Sequence, residues 1–216
     1  EPCFEAVRRI ARDSTCDDLA VLSWPIARFA LGEEHVGARD PAEPRVFIYF
    51  EAGADERRDL ERKVERVHRR FDEVAREAGG RPFAGLLGID DLLRVEPDLA
   101  KLAELPARLD FLLDGHGGGL TWIGTYGPCS RWEEGAKRGS EVLEAAGLPP
   151  IFVARPMRGG HFGVLRFIIL FARQDEAEVR KVREVNAAIA DALVPLGFAL
   201  YKTPGWAVRR YAARID

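Results

Sequence analysis

The pattern of apolar positions is most distinctive between Pro149 and Phe171, where Ile151–Ala154 and Val164–Phe171 flank Arg155-Pro156-Met157-Arg158-Gly159-Gly160. The second run is rich in β-branched and aromatic residues and is bounded by glycine, which predicts a buried strand. The pair reads as a wide β-hairpin in the middle of a sheet. Phe167-Ile168-Ile169-Leu170-Phe171 is apolar at both alternations, so both faces of that strand should be covered. The connection carries two arginines, a methionine and then His161. Two readings stand for it: a charged loop in solvent, or a set of groups facing a ligand.

Helical periodicity marks four further segments. Phe4, Val7 and Ile10 give Glu1–Arg12 one apolar face. Over Asp55–Ala78, Leu60, Val64, Val67, Phe71, Val74 and Ala78 repeat at alternating spacings of four and three. Arg131–Ala146 repeats Trp132, Ala136, Gly139, Leu143 and Ala146, and Gly147 stops it. Asp175–Leu196 opens on a possible cap pair, Asp175 and Glu178, and carries Val179, Val182, Val185, Ile189, Ala192 and Leu196 as its stripe. Strands are expected at Arg45–Glu51, Leu120–Tyr126 and Phe198–Thr203, and a last helix from Trp206 to Ile215. Leu19–Leu31 is apolar but contains Pro25, which points to an extended tie or edge strand. Gly32–Pro44 reads as a loop, and Gly79–Gly119 as irregular chain with short turns at Asp90–Leu93 and Asp98–Ala100.

From residue 120 to 202 the order is β-α-β-β-α-β. The expected class is therefore α+β, a ferredoxin-like antiparallel sheet with helices on one face. Such a sheet leaves its other face free, and if that face is apolar it must meet something else.

Composition narrows the partners. The 216 residues are 47% hydrophobic with a net charge of -3, as in an ordinary soluble domain, and nothing favours nucleic acid or an anionic membrane. The charged face of Asp55–Ala78 mixes signs at i,i+4 and reads as solvated and ion-paired, with His68 a solvent residue within it. Cys3, Cys16 and Cys129 form no CxxC pair, so free thiols in a reducing, cytoplasmic setting are expected. The start at Glu1 without methionine suggests an excised piece of a longer chain. Asp90 and Asp91 could bind a cation but better fit a helix N-terminus. Gly115-His116-Gly117-Gly118-Gly119 precedes a strand instead of a helix, a weak nucleotide signal. Four histidines without paired spacing make a metal-dependent hydrolase a poor reading, and no metal site is expected.

Three stretches, taken in order, resemble the C-terminal cap or substrate domain of FAD-linked oxidases of the vanillyl-alcohol oxidase and para-cresol methylhydroxylase family. They are Gly117-Gly118-Gly119-Leu120-Thr121-Trp122-Ile123, the hairpin with its Arg-x-x-x-His region, and Gly197-Phe198-Ala199-Leu200-Tyr201-Lys202-Thr203, similar to the family's Gly-x-x-x-Tyr-Arg-Thr strand. The resemblance implies a single cap domain over residues 1–216, covering the isoalloxazine of FAD held mainly by a separate FAD-binding domain of the same protein. It implies an FAD-dependent oxidoreductase acting on a small alcohol, phenol or hydroxy acid, with the isolated chain inactive. Tyr201 and Lys202 are then the catalytic candidates, binding a substrate oxyanion, and Arg155, Arg158, His161 and His116 the substrate- or cofactor-binding ones.

Two positions depart from the pattern. Lys202 stands where relatives carry arginine, and Leu120 stands at the position aligned with a flavin-linking histidine. The apolar sheet face predicts a homo-oligomer when left uncovered. Arg166 is expected as an ion-pair partner within its strand, and Trp122, Trp132 and Trp206 as core. The competing class is a non-enzymatic ferredoxin-like ligand-binding or assembly module.

Overall fold

Six strands form one sheet in the computed structural model, which describes residues 2–80, 83, 85–104, 108–113, 117–157 and 159–212. They are β1 (Asp18–Ser23), β2 (Val46–Glu51), β3 (Gly118–Pro128), β4 (Phe152–Pro156), β5 (Phe162–Ala172) and β6 (Ala199–Leu200). Their spatial order is β2-β1-β4-β5-β3-β6, and every neighbouring pair is antiparallel. Helices α6 (Trp132–Ala145) and α7 (Glu176–Leu193) connect β3 to β4 and β5 to β6. The last four strands and these helices make the expected ferredoxin-like unit, with its first and third strands at the centre. The β4–β5 hairpin lies in mid-sheet, and β1 and β2 extend the sheet beyond β4.

One segment departs from expectation. Leu19–Leu31 is not an edge strand: β1 lies between β2 and β4, and the chain then turns into α2 (Trp24–Ala30). Pro25 sits in the first turn of α2, where a helix needs no backbone N–H and a fixed φ helps it start. The proline marks a helix beginning.

Layering follows the alternation along the strands. Leu165, Phe167 and Ile169 of β5 face the main core together with α1 (Pro2–Arg12), α3 (Arg57–Glu77), α6, α7 and α8 (Gly205–Tyr211). Ile168 and Leu170 face the other way, into a smaller core built by α2, the 3₁₀ segment Pro97–Glu104 and α5 (Asp110–Leu113). Over residues 167–170 the central strand is thus covered on both faces, as its sequence predicts. Helices are not confined to one face, however, because this short second layer covers part of the opposite one. Apart from α2 it comes from Gly79–Gly119, where α4 (Ile89–Val95) and the 3₁₀ segment realise the two expected turns.

Small residues set how closely α6 approaches. A Cβ on Gly139 would lie 2.1 Å from Cζ of Phe167, and one on Gly135 would lie 2.9 Å from both Leu165 and Phe198. The glycines of the 117–119 turn serve the same end. A Cβ on Gly117 would meet Ala172 at 2.7 Å, and one on Gly119 the Phe171 carbonyl at 2.3 Å. Their absence of side chain lets β3 begin hard against the end of β5.

Helix α3 buries Val67, Phe71 and Val74 and ion-pairs its outer face, as at Arg57–Glu61 and Arg76–Asp72. Its inner edge is tied to the first helix by Arg9–Glu77 at 2.6 Å, and Arg70 reaches Asp13 at 2.7 Å. His68 is not a free solvent group: it is half-buried, edge-on to Phe83. Cys16 and Cys129 are free thiols, and burial pushes Cys129 up to about 12.

Asp175 caps α7 by accepting from the amides of Ala177 at 2.8 Å and Glu178 at 3.4 Å. Glu178 does not return the bond to Asp175; it accepts from the Ala172 amide at 2.5 Å and ties the helix to β5. Asp175→Ala should therefore lower stability by about 1 kcal/mol. Urea unfolding would show this as a lower midpoint at constant slope.

Candidate functional site

The second layer leaves part of its sheet face uncovered, and chemistry gathers there. Strand β3 presents Leu120, Trp122, Gly124 and Tyr126 on this face. Strand β5 presents Phe162, Val164, Arg166, Ile168 and Leu170 beside them, with Trp122 opposite Ile168, Gly124 opposite Arg166 and Tyr126 opposite Val164. Leu120, Ile168 and Leu170 lie under α2 and α5, whereas Trp122, Tyr126 and Phe162 remain 40%, 40% and 50% exposed.

Gly124 creates the centre of the site. Past the short β6, the Tyr201 amide donates to the Gly124 carbonyl at 3.2 Å. A Cβ on Gly124 would fall 2.0 Å from Cε1 of Tyr201, so the phenol ring lies across the bare glycine. This carries its hydroxyl to Arg166, whose Nε donates to it at 3.0 Å. The guanidinium stands 5.4 Å from the Trp122 ring centroid and 5.8 Å from that of Tyr201, within cation–π range of both. Tyr126 continues the aromatic row, 5.2 Å from Tyr201 and edge-on to Phe162 at 6.3 Å. No carboxylate among the described residues pairs with Arg166.

Acids and bases elsewhere on this face are matched. Arg155 Nη1 donates to both carboxylate oxygens of Asp18, at 3.0 and 2.8 Å. At the sheet edge the Tyr49 hydroxyl donates to Glu51, and burial together with that carboxylate raises the tyrosine well above its ordinary value. The face therefore divides into a neutralised corner at Asp18, Arg155, Tyr49 and Glu51, and an aromatic part holding Arg166, which has no carboxylate partner among the described residues.

The residues singled out from sequence are distributed unevenly over this geometry. Tyr201 lies at the centre. Lys202 follows it on an exposed bend, and Arg155 shares the face but is held by Asp18. His161 is exposed in a turn that rests against α1, where a Cβ on Gly160 would meet the Arg8 carbonyl at 2.7 Å. Arg158 and His116 lie outside the described residues. Two expectations are corrected. Arg166 bonds a phenol instead of a carboxylate, and Trp122 is surface instead of core; Trp206 is also 46% exposed, while Trp132 is core as expected. Sequence reasoning passed over Tyr126, Phe162 and Gly124. The available signal was a glycine inside a strand, which marks a close approach, flanked at i±2 by Trp122 and Tyr126.

No family model matches the sequence, and no curated protein matches it in a sequence search. In structure, the chain is similar to p-cresol methylhydroxylase with substrate bound. The TM-score is 0.73 at 14% identity, over 99% of this chain and 44% of that one. Two structures of alkyldihydroxyacetonephosphate synthase overlay more loosely, with TM-scores of 0.47 and 0.49 at 11% and 13% identity. Those matches cover 99% of this chain and 39% and 40% of the others. The chain thus shares a fold with a segment of p-cresol methylhydroxylase and spans less than half the length of that protein.

Proposed function

We propose that this chain is the cap domain of an FAD-dependent oxidoreductase acting on a small alcohol, phenol or hydroxy acid. FAD would be held mainly by a separate domain of the same protein. One observation carries the reading: a sheet with the fold of p-cresol methylhydroxylase leaves bare a face that exposes three aromatic rings, one of them within cation–π range of an arginine.

The residues on that face suit one wall of a flavin site. Trp122, Tyr126 and Phe162 offer flat apolar surface for a planar ring system, and Arg166 offers positive charge for an anionic group held beside it. The main nucleotide site would lie elsewhere, because the 117–119 glycines lead into β3 and not into a helix. FAD, when bound, supplies the two-electron redox chemistry. This chain orients the substrate, excludes water and stabilises developing negative charge. In that scheme the Tyr201 hydroxyl donates to a substrate oxygen, and Lys202 adds positive charge at the rim. Arg155, with Arg158, His161 and His116, belongs to the wider set of substrate- or cofactor-binding candidates. Uncovered, the aromatic face would favour self-association.

Hydroxyl-radical footprinting tests the docking. Trp122, Tyr126 and Phe162 should oxidise readily in this chain alone, at a dilution where it is monomeric, and be protected in the complete protein. Equal oxidation in both would leave the face open to solvent, as the reading of a non-enzymatic ligand-binding module has it.

A further inference from the structure

The bond between Arg166 and Tyr201 fixes which protons are left to give. The Tyr201 oxygen already accepts from Arg166 Nε, so its own hydrogen must be donated elsewhere. Arg166 has five N–H donors and uses only Nε in that bond. Its Nη groups make no hydrogen bond or ion pair with any described residue. The neighbours that share its face are Val153 and Gly124 across the strands, and Val164 and Ile168 along its own. A half-buried guanidinium set among apolar groups, with no counter-ion among the described residues, is costly to fold around. The Trp122 and Tyr201 rings, both within cation–π range, hold it in place.

We propose that Arg166 and Tyr201 form a carboxylate-binding site for a small aromatic acid. The outer Nη edge presents two parallel N–H groups, which match the two oxygens of a carboxylate better than the single oxygen of a phenolate. The Tyr201 hydroxyl supplies a further donor, and the aromatic body lies against Trp122, the exposed ring within cation–π range of Arg166. Arg166 is thus the residue that selects an anionic ligand. Only the identification of this ligand with the substrate rests on the function proposed above; the binding site itself does not require a flavin.

Calorimetric titration of the 216-residue chain with benzoate and benzamide tests this directly. The two probes have nearly the same shape and differ in charge. Benzoate should bind about 10- to 100-fold more tightly than benzamide, the usual worth of hydrogen bonds to a charged group. Arg166→Gln should remove that preference. Arg166→Lys, which keeps the charge and loses the fork, should retain part of it. Equal affinities for the two probes, no measurable heat with either, or undiminished benzoate binding by a folded Arg166→Gln chain would each overturn the proposal. If Arg166→Gln does not fold, the comparison of probes on the unaltered chain still decides. Failure here would leave the flavin content of the complete protein untouched, so the two readings fail separately.

Discussion

Truncating Trp132 to alanine should destabilise the fold by about 3–5 kcal/mol, the cost of removing a large, fully buried aromatic side chain. Trp132 opens α6 and is 0% exposed. Its indole fills space that a strand glycine leaves for it, since a Cβ on Gly163 would lie 2.5 Å from Trp132 Cζ2. It also meets Phe4 of α1 edge-on at 6.4 Å, so one ring joins α1, α6 and β5. In a domain of this size each kcal/mol moves the melting temperature by roughly 2–4 °C, which places the expected loss at roughly 6–20 °C. Trp132→Phe should cost much less. The indole Nε1 is buried with no hydrogen-bond partner among the described residues, and phenylalanine removes that unsatisfied donor while keeping most of the apolar surface. Thermal melts of the two variants beside the parent chain check this. A Trp132→Ala protein melting within about 2 °C of the parent, less than a single kcal/mol, would deny the ring this role.

The second large effect is on turnover in the complete protein. Tyr201→Phe keeps the ring over Gly124 and deletes only the hydroxyl. If that hydroxyl stabilises developing charge on the substrate, kcat should fall about 100- to 1000-fold with the flavin retained. Gly124→Ala should reach a similar loss by another route, because the added methyl occupies space now filled by the Tyr201 ring and forces the phenol off the sheet. Lys202→Ala should lower turnover less, since charge on an exposed bend is screened by water and salt. Steady-state rates, with flavin content measured in parallel, separate these outcomes. Normal rates in both Tyr201→Phe and Gly124→Ala would move the active site off this face.

Much of the fold was legible because its signals are local. The stripe on α3, the cap at Asp175 and the doubly apolar run in β5 each follow from residues a few positions apart. Pro25 misled because proline breaks a strand and begins a helix with equal ease; only the pairing of β1 with both β2 and β4 decides between them. The site was harder to read for a related reason. Whether Ile168 or Arg166 of the same strand face is covered depends on where α2 and α5 land, and those helices come from segments 40 or more residues away in sequence. The alternation along β5 places both side chains on one face but does not say where the cover ends. Tyr201 was found through its strand motif, whereas its partner Arg166 was assigned to an ion pair because arginines within strands usually have one. What overrode that expectation is Gly124, whose missing side chain lets a phenol reach the guanidinium first.

Under the proposed function, this chain covers a flavin bound elsewhere in the same protein. The most direct measurement is visible absorbance after purification of the complete protein and of this 216-residue chain under the same conditions. The account predicts the flavin spectrum, near one FAD per molecule, in the complete protein, and a colourless chain when these residues are purified alone. A colourless complete protein, or a stoichiometric yellow complex with the chain alone, would contradict it.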